Sequence, residues 1–241
     1  MKRSKTNTGL LYFFEKIVRS HPLLYFLTRS LIRYTKIFEE DANGVSFLKF
    51  PEKVSIIDVG ASDGIASKFF NSKLKVKKII CFEPYKPYAK ILKKLKIKNL
   101  KVHNYGIGEF NKSYLVYFPR YRLFSKNIDL ITYTYYNKNK LSQQINLDFK
   151  FKNNLSIIKD KIFLKKIKFI KSKIHLIKID VNGHELSVIK GLKKIIKRDK
   201  PVLIVETGDD IKTIETFLKK FGFNKYLFLN DKNKFLKIKK N

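Results

Sequence analysis

The chain has 241 residues, enough for one α/β domain with a proper core and an added arm or lid. Its 53 basic and 20 acidic residues give a formal charge of +33, yet only 7 of the basic residues are Arg, and Ile, Asn, Phe and Tyr are abundant while Trp is absent. That pattern reads as a composition-wide lysine excess rather than an evolved nucleic-acid surface, which recruits Arg for bidentate contacts, and the single cysteine, Cys81, excludes an intrachain disulfide.

Met1–Lys5 is basic, but the apolar stretch after it is broken by Glu15, Lys16, Arg19 and Arg29, so it reads as neither a secretory h-region nor a membrane span. A reducing, cytoplasmic location is expected. From Thr8 to about Glu39 apolar residues recur at helical spacing: Leu11, Phe14, Ile17 and Val18, then Leu24, Leu27, Leu31 and Ile32. Ser20-His-Pro22 divides them into two helices, because proline is tolerated at a helix start and not inside one. Large aromatics on one side and basic residues on the other fit an arm packed on the core or an interfacial helix on anionic lipid. The arm is assigned to residues 1–45, ending in the loop Asp41-Ala-Asn-Gly44, and the main domain to 46–241.

Strand Val54–Val59, helix Ile65–Asn71, strand Lys78–Phe82, helix Pro87–Leu95 and strand Leu100–Asn104 follow in alternation. This rhythm predicts βαβ units and a mainly parallel sheet of Rossmann-like α/β class, with ligands at the carboxyl ends of the strands. Residues 105–173 break it. Tyr114–Phe118 and Leu130–Tyr136 read as β-ribbon before a polar passage, and the whole reads as an inserted lid or substrate element. The alternation resumes with strand Ile174–Ile179, helix His184–Ile196, strand Pro201–Val205, helix Asp210–Phe221 and an antiparallel hairpin of Lys225–Leu229 and Lys234–Ile238.

Val54–Val59 runs into Gly60-Ala-Ser-Asp-Gly64, a turn whose glycines let the backbone approach a ligand. Glu83 lies 19 residues beyond Gly64, where an acid accepts hydrogen bonds from the hydroxyls of an adenosine ribose. The loop lacks the G-x-G-x-x-G run that admits a pyrophosphate. Asp58 before the first glycine favours a cationic ligand, such as the sulfonium of S-adenosylmethionine, or serves as a turn or cap residue. Cofactor contacts are therefore expected at Asp58, Gly60, Ala61, Gly64 and Glu83, with Asn104 in the turn after the third strand, where His103 reads as a core or sheet-edge residue. In His175-Leu-Ile-Lys-Ile-Asp-Val-Asn-Gly-His-Glu185, Asp180 ends a strand on the same rim. His184 opens the next helix, where the dipole keeps imidazole neutral and ready to accept a proton. Glu185 has the spacing of a capping box begun by Asn182. Tyr133 and Tyr135 could stack on a sugar ring or belong to a core. No cluster of His, Cys and acids has metal-ligand spacing, so no metal is expected.

Asp58-Val-Gly-Ala-Ser-Asp-Gly64, Cys81-Phe-Glu-Pro84, Leu176-Ile-Lys-Ile-Asp-Val-Asn-Gly-His-Glu185 and Pro201-Val-Leu-Ile-Val-Glu206 occur in this order, and over Val54–Phe223 the chain resembles the FkbM-type methyltransferases. The resemblance implies a Rossmann-like fold, S-adenosyl-L-methionine as cofactor and O-methylation of a sugar, glycolipid or related natural product. It carries over Asp58, Gly60 and Glu83 as cofactor contacts, Asp180 and His184 as active-site residues, and Glu206 as a rim acid on the substrate side. One departure is Asn182, where the family usually has Glu. The partner implied is a small-molecule or glycan acceptor, with an anionic membrane as a peripheral contact and nucleic acid less favoured. Two rival readings are an RNA methyltransferase, from the charge, and an inactive membrane- or polyanion-binding module of the same fold. The oligomeric state is not specified by these features.

Overall fold

The computed structural model describes residues 20–32, 40–206, 208 and 210–238; the first expected arm helix, around Leu11–Val18, lies outside them. In chain order the elements are α1 (Pro22–Ile32), a 3-10 helix (Glu40–Phe47), β1 (Val54–Val59), α2 (Ile65–Lys73), β2 (Val76–Phe82), α3 (Lys86–Lys93), β3 (Leu100–His103), β4 (Gly106–Ile107), β5 (Lys112–Leu123) and β6 (Lys126–Asp129). After a 3-10 turn (Ile131–Tyr133) come α4 (Lys138–Asp148), β7 (Leu155–Lys165), β8 (Leu176–Ile179), α5 (Glu185–Gly191), α6 (Lys193–Asp199), β9 (Val202–Val205), α7 (Ile211–Lys219), β10 (Tyr226–Leu229) and β11 (Lys234–Lys237). The chain divides into two units, one of Met1–Thr35 with Ser113–Ile162 and one of Lys36–Lys112 with Phe163–Asn241.

The second unit is built on a parallel sheet in the order β3-β2-β1-β8-β9. All six residues of β1 are buried, as expected for a central strand covered on both faces. Strand alternation sorts its side chains. Val54 and Ile56 join Phe69, Phe70 and Leu92 from α2 and α3 in one core. Ile57 and Val59 join Val188, Ile189, Ile195, Ile196 and Ile214 from α5, α6 and α7 in another. Each such aliphatic side chain, fully buried, contributes about 1.5–3 kcal/mol. The order reverses at β1, whose neighbours β2 and β8 lie on opposite sides, so the crevice at the carboxyl ends of β1 and β8 is the switch point where open α/β sheets hold ligands.

Three expectations are corrected. The expected loop at Asp41–Gly44 lies within the 3-10 helix Glu40–Phe47. The single helix expected over His184–Ile196 is two, interrupted at Leu192; Gly191 sits so close to the Gly108 carbonyl that a Cβ there would lie 2.3 Å from its oxygen. Leu130–Tyr136 is not a strand: the Tyr133 N–H donates to the Leu130 carbonyl and the Thr134 N–H and hydroxyl to that of Ile131, closing a 3-10 turn, and only Tyr135 bridges to Tyr117. Strands β10 and β11 pair antiparallel, as expected, in a two-stranded sheet of their own.

The first unit has a separate core of Leu130, Tyr133, Leu141, Ile145 and Phe149, with Tyr25 and Phe26 of α1 packed against it. Helix α1 begins at Pro22, as the sequence predicts, and His21 Nδ1 accepts the Leu23 N–H at 3.1 Å, taking one of the donors that a helix start leaves unpaired. Tyr133, expected to face a sugar or a core, is a core residue. Its ring packs on Tyr25 and Phe149 and its hydroxyl donates to Asp148 at 2.9 Å, so neither ring face is available for stacking.

Candidate active site

Strand register brings the expected residues together. Val59, Phe82, His103, Ile179 and Val205 stand in one row across β1, β2, β3, β8 and β9. The residue after each is Gly60, Glu83, Asn104, Asp180 or Glu206. The ladder continues one step beyond the strands, with Gly60 N–H donating to Phe82, Glu83 N–H to His103, Asp180 N–H to Val59 and Glu206 N–H to Ile179. Five residues named from separate motifs thus form one line along the carboxyl edge of the sheet.

Glu83 is 5% exposed and fixed by two backbone donors: Ser62 N–H reaches Oε2 and Tyr85 N–H reaches Oε1, each at 2.8 Å. Burial pushes its carboxyl up to about 7; the two N–H groups and Lys178 oppose this, and Asp58 adds to it. Asn104 donates its side-chain amide to the Glu83 and Pro84 carbonyls, both at 3.0 Å, fastening the third-strand turn to the second. His103 stacks on Phe82, with ring centroids 4.9 Å apart and planes at 12°, a packing role.

The glycine loop differs from expectation in what its glycines face. Gly60 has φ +72, and a Cβ there would lie 1.9 Å from the Asp180 carbonyl oxygen; the close approach is between β1 and β8. Gly64, at φ +86, caps α2, and its open side meets Leu95 and Leu92, not a ligand. Ala61 is buried beneath the same turn, and the Ser62 hydroxyl oxygen is shut off from solvent without a hydrogen-bond partner.

Asp58 is also corrected. Its carboxylate is completely buried, Ser67 of α2 donates to Oδ2 at 2.7 Å, and Lys178 of β8 stands 3.5 Å from Oδ1, directly across the register. The cation that Asp58 meets belongs to the chain. Lys178, to which the sequence assigns no role, is 5% exposed, and its ammonium donates to the Gly60 carbonyl at 2.9 Å and lies 3.0 Å from Asp180 Oδ2. The signal was a charged residue inside a strand run buried on both faces, a position that demands partners. Cys81 completes this layer as a buried thiol 3.2 Å from the Ser67 hydroxyl, with its pKa raised by burial.

Asp180 is the acid of this group that reaches solvent, its side chain 37% exposed. Beyond it Asn182 (φ +52) and Gly183 (φ +99) turn through the left-handed region, which asparagine and glycine tolerate best. Glu185 is the first residue of α5 rather than the third of a box begun at Asn182. Its buried carboxylate still reaches back, accepting the Gly183 N–H at 3.1 Å and the Val181 N–H at 3.3 Å. Glu185→Ala is expected to leave those donors unmet and cost about 2 kcal/mol of stability, read as a lower Tm, with Glu185→Gln recovering part of it. His184 occupies the cap position of α5, half-buried; burial lowers its pKa below the usual histidine value and Asp210 partly opposes this, so its imidazole is neutral at pH 7. Glu206 is exposed, one residue past β9. Tyr135 lies half-buried in the first unit, its backbone exchanging two 2.8 Å hydrogen bonds with Tyr117.

A family model described as the methyltransferase FkbM domain matches residues 58–225. The chain belongs to the FkbM methyltransferase family. Among solved structures the FkbM chain is similar to a methyltransferase FkbM from Methylobacillus flagellatus KT, at 18% identity and a TM-score of 0.48, covering 75% of this chain and 40% of that one. It therefore spans less than half the length of that relative. It is also similar to an rRNA methylase from Streptococcus thermophilus, at 10% identity and a TM-score of 0.37 over 73% of this chain and 75% of that one. A third is the plantazolicin methyltransferase BpumL, solved with a substrate analogue and SAH, at 15% identity and a TM-score of 0.29 over 56% and 55% of the two chains. No curated protein matches the FkbM chain in sequence. Among its described residues no helix is long and apolar enough to cross a membrane, and no three His, Cys, Asp or Glu side chains are grouped to hold a metal ion.

Proposed function

We propose that this FkbM-family chain methylates a hydroxyl of a saccharide or glycolipid, using S-adenosylmethionine. The donor set fits that cofactor. Glu83, buried and anchored by one backbone N–H on each oxygen, retains lone pairs on both for a vicinal diol such as a ribose, and the partnerless Ser62 hydroxyl stands in the same loop. When bound, S-adenosylmethionine supplies an electrophilic methyl group. The chain's own residues do the rest: Glu83 and the Gly60–Gly64 loop hold the adenosine end, Asp180 accepts a hydrogen bond from a neighbouring hydroxyl of the acceptor and so orients it, and His184 takes the proton of the reacting hydroxyl. A positioned base of this kind contributes ~10²–10⁴ in rate. The observation that carries the reading is the difference between the two acids beside Lys178: Asp58 is wholly buried, whereas Asp180 opens to solvent on the row that holds Glu83.

The test is incubation with methyl-labelled cofactor and separate glycan, lipid and RNA fractions from the source organism. Label in glycan or glycolipid is the expected result. Label confined to RNA overturns the acceptor class, and absence of cofactor binding by calorimetry overturns the whole reading.

A further inference from the structure

We propose that Lys178 is a positioning residue, a buried cation that ties the cofactor loop to the acceptor rim. This rests on the methyltransferase reading above for what the two halves of the site do, but the geometry stands by itself. One ammonium donates to the Gly60 carbonyl at 2.9 Å, lies 3.0 Å from Asp180 Oδ2 and stands 3.5 Å from Asp58 Oδ1. Gly60 and Asp180 close two different strands and are 120 positions apart in the chain. The Gly60 N–H is taken by Phe82 and the Asp180 N–H by Val59, so the backbone fixes where each strand ends. The Gly60–Ala61 peptide plane is further held by the Ala61 N–H on the Phe82 carbonyl at 3.4 Å, but strand pairing does not orient the Asp180 carboxylate. Lys178 does that, and Asp58, held on its other oxygen by Ser67, is the counter-charge that makes a buried lysine tolerable there.

The three groups carry formal charges of +1, −1 and −1. Asp58 offsets the ammonium inside the sheet, and Asp180 lies beside it at the surface, where an acceptor hydroxyl can reach the same carboxylate. A charge-assisted contact is shorter and roughly twice as strong as a neutral one, which suits a group that must hold a carboxylate in one rotamer. Arginine is no simple replacement, because its planar fork is longer and fixed in geometry, so its effect separates charge from shape.

Three variants test the proposal: Lys178→Met, Lys178→Arg, and the double variant Lys178→Met/Asp58→Asn. In the double variant the lone buried carboxylate is gone, while the asparagine oxygen still accepts from Ser67. Lys178→Met alone is expected to lower Tm strongly, since Asp58 is left buried without its cation. The double variant is expected to recover most of that Tm and yet remain at least 100-fold down in kcat, with Lys178→Arg intermediate. A purely structural role predicts instead that kcat returns with Tm. A second readout needs neither cofactor nor acceptor: in the free protein, amide hydrogen exchange at Ala61–Asp63 and Val181–Gly183 is expected to quicken at least tenfold in the double variant, while β2 and β3 keep their protection. Recovery of kcat to within about threefold of wild type, or unchanged exchange in both loops, would falsify the proposal. If wild type methylates no fraction, the functional reading fails while the exchange comparison still decides the role of Lys178.

Discussion

Gly60→Ala is expected to destabilise the protein by about 3–5 kcal/mol and to abolish cofactor binding. A side chain in the left-handed region costs about 1–2 kcal/mol by itself. At φ +72 the new methyl would also stand 1.9 Å from the carbonyl oxygen of Asp180. That oxygen is backbone, at the end of a strand buried along its whole length, so no rotamer change relieves the overlap. Either β1 and β8 part at their carboxyl ends or Gly60 changes conformation, and both break the Lys178 bond to the Gly60 carbonyl. For a chain of this size the loss corresponds to a Tm lower by roughly 10 °C. Gly183 supplies the control. It too has a positive φ, +99, but nothing lies within 4 Å of a Cβ there, so Gly183→Ala should show only the conformational cost of about 1–2 kcal/mol. Thermal denaturation of the two variants side by side measures the difference, and equal Tm values would refute the close approach of the strands.

The second large effect is carried by Glu83. Its carboxyl is raised to about 7, above the ordinary carboxylate value, so the direction of two pH dependences follows. In the free protein a raised acid contributes stability that is fully present below its unfolded pKa and is lost as pH rises through the folded value; Tm is therefore expected to fall between about pH 4.5 and pH 7 on account of this residue. Cofactor affinity runs the other way, because ribose hydroxyls donate best to the ionised form. Between pH 8 and pH 5.5 the dissociation constant is expected to weaken roughly thirtyfold, about one decade per pH unit below the pKa. Glu83→Gln should remove both slopes, since glutamine does not titrate. It should also weaken binding about a hundredfold at pH 8, because its amide nitrogen faces one of the two N–H donors that now meet a carboxylate oxygen. Calorimetric titration with S-adenosylmethionine at several pH values, wild type against variant, measures this. Parallel pH curves for the two proteins would mean that Glu83 is not the group responsible.

The central strands β1 and β8 were legible because each is a short run buried along its whole length, largely apolar and bounded by turn residues, and β2, β3 and β9 followed from the alternation with helices around them. Glu83, Asp180 and Glu206 could be placed on the rim because each follows a strand, whereas Asp58 lies inside β1. What could not be read was anything that depends on which strands are neighbours. Lys178 looked like one of many lysines until β8 was set beside β1 and Asp58 came directly opposite it. Gly60 and Gly64 read as ligand-facing glycines, but what crowds them is Asp180 for the first and Leu92 and Leu95 for the second. Tyr133 misled in the opposite way. Aromatic and β-branched composition around it favours a strand, whereas hydrogen bonds three residues long close a turn and send its ring into a core. The interruption at Leu192 left no trace in the apolar spacing because both short helices keep the same face inward.

The pairing of Asp58 with Lys178 also sets an order of assembly. Strands β1, β2 and β3 leave the ribosome long before β8, and their apolar faces are ready to close into a sheet. Without β8, β1 is the edge of that three-stranded part, and Asp58 has Ser67 but no cation beside it until residue 178 is made. Burying a carboxylate without a cation is costly. Completion of the sheet waits for the strand that brings the lysine, and the same event sets Gly60 against Asp180. The counter-charge of Asp58 and the ligand edge thus depend on one and the same strand pairing, β1 with β8.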